Sequence, residues 1–147
     1  MSTPERKFVL EAGNIMSFQR SLGRDATFDA AAVAPLTFSQ ALAHYDPDSH
    51  LRPRPGVPWK GSGRTASGVP LAGEGWLHAE QHFSFERHPR AGETLAASTK
   101  RGERWSKSSS SGSTLEFAEE ITEFRDDTGA LVLTSTIVRV RRSEATG

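Results

Sequence analysis

Leu77-His78-Ala79-Glu80-Gln81-His82-Phe83-Ser84-Phe85-Glu86-Arg87-His88 is the stretch from which the rest of the chain can be read. Leu77, Ala79, Phe83 and Phe85 fall on one side of an extended backbone, and His78, Glu80, His82, Ser84 and Glu86 on the other. That two-residue period belongs to a strand with one buried face and one face that is wet or meets a partner. Three more strand-like runs, 93–106, 113–125 and 130–142, follow with only short turns between them, so the second half reads as an antiparallel meander. Arg90-Ala91-Gly92 and Asp126-Asp127-Thr128-Gly129 are turn chemistry with glycine placed for a positive φ, and Ser108-Ser109-Ser110-Ser111-Gly112 is a pliable hairpin tip.

Upstream of the strands the period changes. Residues 11–22 carry Ile15, Phe18 and Leu22 at helical spacing, with Gly23 placed to close the helix. Residues 35–44 form a second helical pattern, with Pro35 suited to a first turn and Phe38, Leu42 and Tyr45 on one stripe. A helix followed by a long antiparallel sheet that wraps it is the hotdog architecture, an α+β fold, expected here as one domain over 1–147. Between Pro47 and Gly75 the pattern lapses. Five of the eight prolines and six of the thirteen glycines sit there, which predicts a long loop that serves as a functional cover or a mobile segment.

Composition excludes several function classes. Lysine plus arginine equal aspartate plus glutamate at 18 each, so there is no broad cationic field for a nucleic-acid backbone. Without cysteine there is no disulfide or thiolate chemistry, which suits a reducing cytoplasm. The apolar patch Phe8-Val9-Leu10 is too short for a signal peptide or membrane span, so a soluble cytoplasmic protein is expected. His78 and His82 share a face in a regular strand, yet lie roughly 13 Å apart at strand rise, too far for one ion, and no metal is expected.

The helix opening Ala34-Pro35-Leu36-Thr37-Phe38, the strand His78-Ala79-Glu80-Gln81-His82-Phe83, the turn Pro89-Arg90-Ala91-Gly92-Glu93-Thr94-Leu95 and the hairpin Asp127-Thr128-Gly129 occur in an order that resembles the N-terminal half of MaoC-like dehydratases. This is the fatty-acid-synthase-type dehydratase domain, and the resemblance spans the chain apart from 47–75. It implies a hotdog fold that acts as a double hotdog, formed by two chains or by two halves of one chain. It also implies chemistry on 2-enoyl or (3R)-hydroxyacyl thioesters of coenzyme A or acyl carrier protein, with no cofactor.

The departure from that family carries the functional expectation. Its catalytic members have a Gly-Asp-x-Asn-Pro-x-His signature after the first helix, where this chain has Gly23-Arg24-Asp25-Ala26-Thr27-Phe28-Asp29. Arg24 stands in the aspartate place and Asp29 in the histidine place; a shift by one recovers Asp25 but leaves Ala30 for the histidine. The implied role is the non-catalytic hotdog that shapes an acyl pocket beside a catalytic partner. Two alternatives stand beside it. One is a self-sufficient thioesterase or hydratase using Asp25, Asp29 or His44, although His44 equally suits the carbonyls at a helix end. The other is a homodimeric module that binds acyl thioesters without catalysis.

For substrate binding the resemblance points to the helix start, Pro35, Thr37, Phe38 and Ser39. There the free backbone N–H groups of Phe38 and Ser39 would polarise a thioester carbonyl. Packing of Thr37 and Phe38 onto the sheet is the competing role. Trp59 and Trp76 could line an acyl or pantetheine tunnel or anchor the loop. Arg52, Arg54, Lys60 and Arg64 give that loop a basic rim suited to a coenzyme A phosphate or an acidic carrier protein.

Overall fold

The structure, a computed structural model, describes residues 5–45, 53–57, 75–108 and 112–143. In chain order the elements are strand β1 (Arg6–Val9), helix α1 (Ala12–Ser21), helix α2 (Phe38–Tyr45), and strands β2 (Leu77–Phe85), β3 (Thr94–Ser108), β4 (Thr114–Arg125) and β5 (Leu131–Ser143). The five strands make one sheet in the order β1-β3-β4-β5-β2, antiparallel at every pairing. No helix among the described residues is long and apolar enough to cross a membrane.

The period-two runs become strands, but their succession is not a simple meander. β2 pairs with β5 instead of its sequence neighbour β3. The cause lies in the connection between them. Ala91 N–H donates to Ala32 O at 2.8 Å, Gly92 N–H to Leu10 O at 2.8 Å, and Pro89 O accepts from Ala34 N–H at 2.9 Å. A segment that pairs with residues 10 and 32–34 cannot close a tight hairpin, so the chain crosses the end of the sheet. The patch Phe8-Val9-Leu10, read only as apolar, supplies the edge strand β1 and its buried exit, Leu10.

α1 ends as its glycine foretells. Gly23 has φ +79°, its N–H bonds Arg20 O, and Arg24 N–H reaches back to Gln19 O, the paired bonds that close a helix through a left-handed residue. Ile15 is fully buried, whereas Leu22, expected on the same stripe, is 56 % exposed. α2 starts later than its proline suggests: Phe38 N–H bonds Pro35 O at 2.9 Å and Gln40 N–H bonds Thr37 O at 3.1 Å, so residues 35–37 form a tight turn ahead of the helix. Phe38 and Leu42 then enter a core with Leu10, Ile15, Leu95, Phe124, Val132 and Leu133. Phe18 meets Phe38 edge to face, with ring centroids 5.5 Å apart.

The sheet face toward the helices changes character along its length. Phe8, Leu95, Phe124, Leu133 and Phe85 share the end beneath α1 and α2. Next comes a hydroxyl band, where Thr99 and Thr122 are 2.9 Å apart and Gln81 Nε2 donates to Ser135 Oγ at 3.1 Å and to Gln40 Oε1 on α2. These pairs satisfy polar groups that burial would otherwise penalise.

Two bulges interrupt the period. In β2, Ala79 is the extra residue, since His78 pairs with Arg139 and Glu80 with Val138. Leu77 therefore leaves the face of Phe83 and Phe85 and is 68 % exposed, and His78 and His82 lie on opposite faces, not together. In β3, Gly102 and Glu103 oppose Glu119 alone, whose carboxylate accepts the Glu103 N–H at 3.0 Å. A Cβ on Gly102 would stand 2.7 Å from the Glu119 Cβ and 2.8 Å from the Ile121 Cδ1. Gly102→Ala should therefore cost about 1–3 kcal/mol through overpacking, read as a lower denaturant midpoint at unchanged slope.

One ionic cluster ties the crossing connection to the β4–β5 hairpin. Arg87 donates to both Glu93 oxygens at 2.8–2.9 Å and to Asp126 Oδ2 at 3.1 Å. Asp126 Oδ1 also accepts the Thr128 hydroxyl and the N–H groups of Thr128 and Ala130. The Thr128 hydroxyl first, then Arg87, hold the Asp126 carboxyl down to about 2. A carboxyl depressed in the folded state stabilises above its unfolded value and loses that contribution as it protonates. The stability of the protein should thus fall as pH drops from about 4 toward 2, and Asp126→Asn should flatten melting temperature against pH in that window.

Candidate functional site

An open cavity of about 750 Å³ lies at the end of α1, where the chain turns toward α2. The geometry follows from local bonds. Arg20 Nε donates to Ala26 O at 2.8 Å, which folds the 23–29 segment back against its helix. Asp29 Oδ1 accepts the Ala31 N–H at 2.8 Å in an Asx turn. The bridge between Val33 and Arg90, with the bonds of Ala32 and Ala34, then holds the start of α2 to the sheet connection.

The cavity brings together Asp25, Asp29, Pro35 and Thr37 of the residues singled out in the sequence, with Arg24 beside them. Phe38 does not join them. Its ring is buried in the core and its N–H is bonded to Pro35 O, which withdraws it from the expected pair of donors, and Ser39 does not line the cavity either. The Ser39 hydroxyl oxygen is buried without a hydrogen-bond partner. His44 lies in the last turn of α2, but its side chain is outside the described residues, as are Trp59, Arg52, Lys60 and Arg64. Trp76 stands elsewhere, against Arg104 and Arg141 of the sheet. Among the described residues no group of three or more His, Asp or Glu side chains is gathered for a metal.

The residue that sequence reasoning missed is His88. It follows β2, is exposed, and opens onto the same cavity as Asp25 and Asp29. Nothing local marks it, because residue 88 meets the 24–37 segment only through the crossing connection. The cavity thus carries two carboxylates, a guanidinium and an imidazole, nearly balanced in charge. In the 23–29 segment itself, one carboxylate is engaged by its own backbone and the neighbouring cation cannot accept a proton.

No known family profile matches the chain, and no curated protein sequence matches it. Solved structures do. A chain of the HadBC (3R)-hydroxyacyl-ACP dehydratase complex from Mycobacterium tuberculosis is similar with a TM-score of 0.64 at 19 % identity, over 95 % of this chain and 94 % of that one. A chain of the ChsH1–ChsH2 complex from the same organism gives 0.69 at 14 % identity, over 99 % and 86 %. The R-hydratase PhaJ1 from Pseudomonas aeruginosa gives 0.57 at 15 % identity, over 100 % and 86 %. The fold is the hotdog fold of these MaoC-like dehydratases and hydratases.

Proposed function

We propose that the chain, one hotdog domain over 1–147, is a component of a MaoC-like (3R)-hydroxyacyl-thioester dehydratase or 2-enoyl-thioester hydratase. Its role is to shape the acyl pocket while a second hotdog supplies the aspartate and histidine. The observation that supports this reading is the cavity wall at 23–29, where Arg24 and a turn-bound Asp29 stand in the places that the resembled signature gives to its aspartate and histidine. Syn hydration requires one group to deprotonate water and another to exchange the α-proton; an arginine stays protonated and an ordinary aspartate is a weak base at neutral pH. Asp25, Pro35 and Thr37 would line the acyl entrance, and a coenzyme A or carrier-protein thioester would be the substrate.

The sheet supports a second hotdog as partner. Among the described residues β2 is hydrogen-bonded on one side only, to β5, which leaves a nine-residue edge for a partner strand. HadBC and ChsH1–ChsH2, both similar in fold, are complexes. Light scattering of the chain, alone and co-expressed with a hotdog that carries an intact Gly-Asp-x-Asn-Pro-x-His signature, tests the assembly. A homodimer alone and a one-to-one complex with the partner are expected; a monomer mass at micromolar concentration in both samples would refute it.

His88 favours a second reading, a self-sufficient hydratase in which its imidazole is the base and Asp25 the second group. Turnover by the chain alone that is lost in His88→Ala selects this reading over the first.

A further inference from the structure

Each β-bulge turns a nitrogen-bearing side chain, Arg104 in β3 and His78 in β2, onto the same row of the helix-bearing sheet face. In a regular β3, Arg101 and Arg104 would point to opposite faces; the extra residue opposite Glu119 puts both on the inner one. The extra Ala79 in β2 does the same for His78 relative to Phe83. The pairings then run straight across four strands, Arg104 to Ala118, Ala118 to Arg139, and Arg139 to His78. Directly paired residues share a face, and Ala118 shares its face with Phe124 of the core.

Arg104 and Arg139 stand two strands apart, roughly 10 Å between Cα atoms, with only the methyl group of fully buried Ala118 between them. Neither has a carboxylate partner among the described residues. Arg104 is held by the Trp76 ring, 5.9 Å from its centroid, and Arg139 Nε is buried with no acceptor. In the flanking rows of this face, Glu116 is engaged by Arg141 at 2.7 Å and Glu120 is buried opposite Arg101. We propose that this row is a binding site for a phosphoryl group.

The geometry selects the ligand class. A planar carboxylate is satisfied by one guanidinium fork, whereas a tetrahedral phosphoryl group offers oxygens to two forks approaching from opposite sides and to a third donor such as His78. The row so aligned holds two arginines and an imidazole and no carboxylate of its own, and the Trp76 contact fixes Arg104 in advance. The row is separate from the cavity, since none of Arg104, Ala118, Arg139 and His78 lines it and β2 runs roughly 20 Å from His78 to Phe85 before the chain reaches His88. It therefore stands independently of the thioester reading.

Calorimetric titration of the full chain at low salt, with inorganic diphosphate and with coenzyme A, tests the proposal. Both should bind with an affinity that falls as salt rises, and Arg104→Gln or Arg139→Gln should each weaken binding by about tenfold or more. Arg139→Lys should retain part of it. Arg139→Met keeps the test independent of misfolding: removal of a buried donor without an acceptor should leave the melting temperature at or above that of the parent while diphosphate no longer raises it. Tighter binding of coenzyme A than of diphosphate identifies a carrier-borne phosphoryl group, and equal binding identifies a free oxyanion; each supports the site. Absence of binding to both probes at millimolar concentration, or binding unchanged in both Gln variants, overturns it. Diphosphate binding that survives while no hydratase activity is found with any hotdog partner counts against the proposed function and not against the site.

Discussion

Crotonyl-CoA mixed with the purified chain alone should be hydrated within about tenfold of the buffer rate, and a catalytic hotdog partner should raise turnover by several orders of magnitude. General acid–base assistance is worth roughly 10²–10⁴-fold per group, so a chain without the pair forfeits most of the acceleration. Arg24 faces the cavity where the resembled signature has its aspartate, and Asp29 stands in the histidine place with Oδ1 already bonded to the Ala31 N–H. The loss of absorbance of the enoyl thioester measures the rate directly. Within the complex, Asp25→Asn should leave turnover within a few-fold, because the proton chemistry resides in the partner. Robust turnover by the chain alone, abolished in Asp25→Asn or His88→Ala, would transfer catalysis to this cavity and end the subunit reading.

Phe38→Ala should destabilise the fold by about 3–5 kcal/mol, a large share of the 5–15 kcal/mol typical of a domain. The ring is 1 % exposed and packs edge to face on Phe18, and it joins α2 to α1 and the sheet. Its removal leaves a cavity that the surrounding β5 and β3 residues cannot fill without moving the helix. The melting temperature should fall by on the order of 10 °C. Leu36→Ala, two residues away and 56 % exposed, should change stability by no more than about 0.5 kcal/mol. Equal effects from the two substitutions would mean that α2 is not anchored where the core places it.

Much of the fold is legible in single segments. Alternation gives β2 to β5, helical spacing gives α1 and α2, and Gly23 and Gly129 mark the end of a helix and the tip of a hairpin because only a residue without a side chain enters the left-handed region freely. The absence of an imidazole at 23–29 is equally plain in the residues themselves. Each of these signals is local, so the sequence alone determined α1, α2, β2 to β5 and the lack of a complete signature, while β1 became a strand only by pairing with β3.

Everything that depends on pairing between distant residues was decided by the tertiary structure. The place of β2 beside β5 comes from residues 89–92 pairing with Leu10 and residues 32–34, and no segment carries that information alone. The same crossing brings His88 to Asp25. The bulges at Ala79 and Gly102 are defined only by the partner strand, because an extra residue exists only relative to a register. One such residue reverses every side chain beyond it, so it was the sheet that exposed Leu77, parted His78 from His82 and aligned Arg104, Arg139 and His78 on one face.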